Sequence, residues 1–235
     1  MTSTILKLIA LISMIIDHIS IIFFPEFDVL RDIGRISFPI FAFFIVQGFL
    51  HTRSIGKYYF RIALIAVVSE IPYNLCFFGT LYHKDHQSVM LELLLGLTAL
   101  IFLKLTRSNP IFILGIIISG ILSLILYADY GLYGIVLMLS FYILKGFRGA
   151  DTLSLIAITY LFYGTINFGF DFANQHYNIL TLNQPQLLAG FAVVPLVFYN
   201  GAKGKQEFKA LFYIIYPIHL LIIYFIKYHL IPYIL

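Results

Sequence analysis

Asp17 and His18 stand side by side in SMIIDHIS, residues 13–20, inside the first apolar stretch of the chain. An imidazole held by a carboxylate is the arrangement of a general base. The carboxylate fixes the ring tautomer and stabilises the imidazolium once a proton has been taken. Neighbours on a helix point about 100° apart, so Asp17 holds His18 indirectly or through another helix, and Glu70 is the other candidate for that role. Ser13, Asp17 and Ser20 follow i, i+4, i+7 spacing and form one polar stripe with His18 on its flank. On a helix His18 lies roughly 20 Å beyond Ile5, past the bilayer centre. A lone ion there costs about 3 kcal/mol, so partners are expected.

The candidates for those partners are spread along the chain. Arg35, in DIGRISFPIF, follows the first span by a short loop. Glu70 and Asn74, in VSEIPYN, stand one turn apart with Pro72 between them, where the missing N–H can leave a backbone carbonyl free. His219 lies in FYIIYPIHLLIIY beside Tyr216 and Pro217, Gln47 lies inside a second apolar run, and Asp129 lies in YADYG. The expectation is one cavity lined by Asp17, His18, Glu70 and His219, with Arg35 at its outer rim. Each residue also has a structural reading. Asp17 and His18 could clamp helices together, His219 could bond a neighbouring carbonyl, and Glu92, near a helix start, reads as a partly solvated end residue. Gly48 and Gly96 read as sites of close helix approach.

The elements that must carry these groups are membrane helices. Hydrophobic residues make up 61% of the chain and charged ones 11%, with a mean hydropathy of +0.95. Soluble domains are about a quarter charged, so this composition leaves too few charges to cover a water-facing surface. Long apolar runs without strict alternation argue for helices rather than an outer-membrane barrel. The reading is an all-α, polytopic transmembrane bundle forming a single integral-membrane domain over 1–235. Nine spans are expected, near 4–24, 36–50, 59–80, 88–103, 110–127, 131–147, 152–171, 186–200 and 211–230. The first is read as a retained span, since Asp-His is foreign to a cleavable leader. The single cysteine, Cys76, allows no intrachain disulfide and reads as a small buried hydrophobe.

Orientation follows from the loop charges. Arg53, Lys57, Arg61, Lys104, Arg107, Lys145, Arg148, Lys203, Lys205 and Lys209 are ten of the fifteen basic residues, and all fall on one side of a nine-span layout. That places the N-terminus in the cytoplasm and the C-terminus outside, in the cell membrane. The loop with Arg53, Lys57 and Arg61, beside His51 and Thr52, holds no acid and suits a polyanion. The sequence contains no nucleophile elbow, phosphate-binding loop, zincin motif or cysteine-pair site.

Six blocks, ALISMIIDHISIIFFP, LRDIGRISFPIFAFFIVQGFLHTRSIGKYYFRI, SEIPYNL, VMLELLLGL, ADYGLYGIVL and LFYIIYPIHLLII, together resemble the TraX family of membrane proteins. They stand in the family's order and cover essentially the whole chain, which departs from the pattern at Glu92. The resemblance implies an acetyltransferase, since the best-known activity of the family is N-terminal acetylation of pilin. It also implies kinship with the wider membrane-embedded acyltransferases, whose first-helix catalytic histidine matches His18 by position. On that reading acetyl-coenzyme A is the acyl donor and no metal is needed. The donor's phosphates bind near His51, Arg53, Lys57 and Arg61, while His18, Asp17, Glu70 and Arg35 carry the chemistry. Arg35 or Asn74 stabilises the oxyanion, although Arg35 is equally readable as an interfacial anchor. Asn74, Tyr216 and His219 line the substrate cavity. The acceptor is a pilin, peptide or glycan; lipid surrounds the protein and nucleic acid is not a partner. A transporter or proton-conducting channel would use the same intramembrane acids and histidines but would favour inverted repeats. A non-catalytic assembly protein would not need His18. The charge bias predicts that cysteines placed at Gly56 and Gly204 stay unlabelled by an impermeant thiol reagent in intact cells; labelling of either from outside reverses the orientation.

Overall fold

The computed structural model describes residues 1–105, 111–147, 149–164, 185–202, 204 and 209–230. Among these the secondary structure is helical throughout, with no strand beyond one isolated bridge between Gln87 and Ala128. The helices are α1 (Ser3–Phe23), α2 (Asp28–Gly34), α3 (Ser37–His51), α4 (Ile55–Phe78), α5 (Val89–Leu105), α6 (Ile111–Ile125), α7 (Gly131–Ile143) and α8 (Ala150–Thr159). A π-helical turn, Tyr160–Gly164, extends α8. A 3-10 helix, Pro185–Ala192, leads into α9 (Val193–Val197), and α10 (Lys209–Phe225) ends in a second π-helical turn, Ile226–Leu230.

Helix falls in all nine expected stretches, yet among the described residues four segments are long and apolar enough to cross a membrane by themselves. These are Ser3–Phe23, Asp28–His51, Ile55–Phe78 and Tyr213–Leu230. The others are shorter: α6 has 15 residues and α7 has 13, against about 20 for a full crossing. The far end of the expected span at 152–171 lies outside the described residues, as do Arg107, Arg148, Lys203 and Lys205.

The burial pattern is that of a lipid-facing protein. α6 buries Ser119 and Ser123 and exposes Ile113, Leu114, Ile117, Ile118, Ile121, Leu124 and Ile125. α1 does the same, burying Ser13, Asp17, His18 and Ser20 while Ile5, Leu8 and Ile12 face outward. Polar groups go inside because hydrocarbon offers their hydrogen bonds no partner, whereas water would have drawn the serines out and driven the isoleucines in.

The contacts divide the chain into two compact units, Met1–Phe41 with Ile143–Gly204, and Ala42–Tyr142 with Lys205–Leu235. In the first, α1 packs on α2, and the 3-10 helix packs on α2 and α8. Its start is tied down by backbone bonds: the Met1 ammonium donates to the Phe198 carbonyl at 2.7 Å and the Ser3 N–H to Ala202 at 2.8 Å. In the second, α5 packs against α4 and α6, and α10 against α4. Gly48 and Gly96 are sites of close approach. A Cβ at Gly48 would overlap the Tyr58 phenol, and one at Gly96 the Met138 sulfur. Cys76 is buried with a free thiol.

Gly204 adopts φ +67, and a side chain there would strike Thr4, whereas nothing lies within 4 Å of a Cβ at Gly56. Gly56→Cys is therefore the clean position for reading orientation. Gly204→Cys is expected to destabilise the protein by about 1–3 kcal/mol, measured as earlier loss of monodispersity on heating in detergent.

Candidate functional site

Asp17 occupies the second half of α1 and, like His18, is only 9% exposed. The partner demanded by a carboxylate at that depth is Arg35, which follows the last residue of α2. Arg35 Nη2 donates to both Asp17 oxygens at 2.7 Å. Its Nη1 donates to Gln186 Oε1 at 3.0 Å and its Nε to the Arg31 carbonyl at 3.4 Å. The guanidinium is thus fixed from α1, from its own helix and from the 3-10 helix. Gly34 makes the pairing possible, because any Cβ there would overlap the Asp17 side chain. The absence of that one carbon lets α2 lie directly on α1.

Gln186 carried no signal in the sequence. It is an uncharged residue in NQPQLL, 151 positions from Arg35, with no periodicity or motif to connect the two.

Glu70, Asn74, Tyr216 and His219 belong to the second unit. Glu70 accepts from the Ser88 hydroxyl at 2.6 Å and from the Ser88 N–H at 3.1 Å, so its carboxylate holds the start of α5. The geometry gives Glu70 a structural task, joining α4 to α5. Asn74 Nδ2 donates to the Glu70 carbonyl at 2.8 Å, one turn back along the proline-interrupted α4. Its Oδ1 is buried with no partner among the described residues. As oriented, Asn74 presents an acceptor rather than the donor an oxyanion needs. His219 Nδ1 lies 2.8 Å from the Ile215 carbonyl, which fixes the proton on that nitrogen, and its ring meets Tyr216 edge-on at 5.5 Å.

Glu92 departs from the expectation of a partly solvated end residue. It is 0% exposed and accepts from the Ser123 hydroxyl at 2.7 Å. The reason is that this side of the first turn of α5 packs against α6, where Ser123 meets the carboxylate. Glu92 Oε1 is buried with no partner among the described residues.

Three of the four residues expected to meet a polyanion come together. Arg53, Lys57 and Arg61 line a depression of about 650 Å³ with Thr52, Ser54, Gly56 and Phe60. His51 is not among them: its Nδ1 turns back to the Gln47 carbonyl at 2.8 Å. Among the described residues, no three His, Cys, Asp or Glu side chains converge on a possible metal position.

These features define a helical membrane protein with a buried carboxylate–guanidinium pair beside a histidine on its first long apolar helix. The chain belongs to the TraX family, described as TraX protein, which matches residues 2–227. It is 30% identical over 233 residues to the "Probable fimbrial assembly protein FimC, serogroup H1" of Dichelobacter nodosus, covering 92% of this chain and 91% of that one. An uncharacterised protein of Rickettsia prowazekii (strain Madrid E) is 38% identical over 72 residues, 31% of this chain and 27% of that one. No solved structure matches the chain.

Removing either member of the pair strands the other ion. Asp17→Ala and Arg35→Ala are each expected to cost about 3 kcal/mol, with the double variant much less than the sum. Unfolding midpoints in detergent measure this; additive losses would show that the pair is not coupled. Gly34→Ala is expected to fall in the same range through overpacking.

Proposed function

We propose that the protein is a multi-pass acyltransferase of the cell membrane, its N-terminus cytoplasmic, moving an acetyl group from acetyl-coenzyme A to an amine or hydroxyl of a pilin, peptide or glycan acceptor. The observation that carries this reading is the burial of His18 next to the Asp17–Arg35 pair, in a chain of the TraX family. The fimbrial name of the Dichelobacter relative favours a pilin among the acceptors.

In the proposed reaction His18 takes a proton from the acceptor as its nitrogen or oxygen attacks the thioester carbonyl. The new C–N or C–O bond forms, the C–S bond breaks, and the proton held by His18 passes to the departing thiolate. Arg35 is the donor best suited to the carbonyl oxygen as it gains charge, because a guanidinium held from three sides needs no reorganisation at the moment of reaction. Asp17 keeps that guanidinium in place, and Gln186 helps it. Arg53, Lys57 and Arg61 hold the donor's phosphates.

The buried Glu92 favours a second reading, conduction of protons or ions, because intramembrane carboxyls serve such pathways. Heating the purified protein with acetyl-coenzyme A separates the two. Stabilisation by the thioester and not by ions supports the transferase; stabilisation by ions alone supports conduction. His18→Ala is expected to abolish transfer, read by mass spectrometry as loss of one acetyl group from the acceptor, while leaving folding and membrane insertion intact. Asp17→Asn is expected to be severe but incomplete. Near-normal turnover in His18→Ala would sink the mechanism.

A further inference from the structure

Lys57, Phe60 and Arg61 follow i, i+3, i+4 spacing and so share one side of the start of α4, and Arg53 stands in the bend just before its N-cap Ser54. They line the same depression, whose volume of about 650 Å³ is in the roughly 300–1,000 Å³ range of small-molecule sites. Gly56 sits among them with nothing within 4 Å of where its Cβ would stand, so the floor between the cations and the ring is open. Arg61 is steadied by the Tyr58 ring, 5.9 Å from its guanidinium carbon. Phe60 is the one aromatic residue among those lining the depression and is 66% exposed.

Three cations with no carboxylate among the lining residues suit a ligand carrying several negative charges. A phenyl ring adds nothing to the binding of bare phosphate, and a phospholipid headgroup brings no flat group to lie on it. A phosphorylated nucleoside has both parts. We infer that this depression binds the phosphorylated nucleoside end of the acyl donor, with Phe60 as the platform on which the base stacks and Arg53, Lys57 and Arg61 as its phosphate contacts. The inference rests on the acyl-coenzyme A chemistry proposed above and adds the residue that tells a nucleotide-bearing donor from any other polyanion.

The test uses the full-length protein in nanodiscs of zwitterionic lipid, titrated calorimetrically with adenosine bisphosphate and with inorganic pyrophosphate. Base stacking on an aromatic ring predicts that the nucleotide binds about tenfold more tightly than pyrophosphate. Phe60→Ala removes that difference while leaving pyrophosphate binding unchanged, which also reports that the variant is folded; Phe60→Trp keeps the difference. Equal affinity of the unaltered protein for the two ligands, or a preference that survives in Phe60→Ala, overturns the assignment. Turnover of the unaltered protein with acetyl-coenzyme A separates this from the parent reading. Transfer that proceeds without any nucleotide preference removes the role of Phe60 alone, whereas absence of coenzyme A-dependent transfer removes both.

Discussion

A carboxylate in the second half of a membrane helix is tolerable only if a cation meets it, and here Arg35 supplies that cation at 2.7 Å from both Asp17 oxygens. An unpaired ion at membrane depth costs about 3 kcal/mol even on forgiving scales, so the arrangement of the first helices has to serve this contact. Gly34 gives up its side chain so that α2 can reach α1. Gln186 comes from a distant segment to accept one hydrogen bond from the guanidinium Nη1. What results is a positive group of fixed direction on the carboxylate that precedes the buried His18 in α1, built from two helices and one short 3-10 segment.

Two other carboxyls, the half-buried Glu70 and the buried Glu92, do different work. Glu70 spends both oxygens on Ser88 and joins α4 to α5, and Glu92 joins α5 to α6 through Ser123. Apolar contacts between membrane helices gain little over contacts with lipid, so hydrogen bonds and close approaches at small residues carry more of the cohesion than in a soluble core. The same logic accounts for Gly48 and Gly96, which lie against Tyr58 and Met138 in the second unit.

The helical membrane class and the inward stripe of α1 were legible in the sequence, because hydropathy and the i, i+4, i+7 spacing of Ser13, Asp17 and Ser20 report directly on which side avoids lipid. Arg35 was legible as a partner for Asp17 because it stands only 18 residues further along the chain. Gln186 was not, since a contact across 151 residues leaves no mark in a single sequence. Glu92 was misjudged for a local reason: position near a helix start normally implies solvent, but not on the side of the helix that packs against a neighbour, here α6. Glu70 was legible as an intramembrane carboxylate, but its bond to Ser88, 18 residues further along, was not. The number of crossings was the least legible quantity. Four described segments have both the length and the hydropathy of a span, and the other described apolar helices are shorter.

The bond between Glu92 and Ser123 also constrains how the protein is made. α5 leaves the ribosome first, carrying a carboxyl that hydrocarbon will not solvate, while its partner lies 31 residues further along the chain. A helix in that position cannot settle into lipid and wait. α5 and α6 are therefore expected to enter the bilayer as a hairpin, with the Ser123 hydroxyl already turned toward Glu92 as the two leave the translocon.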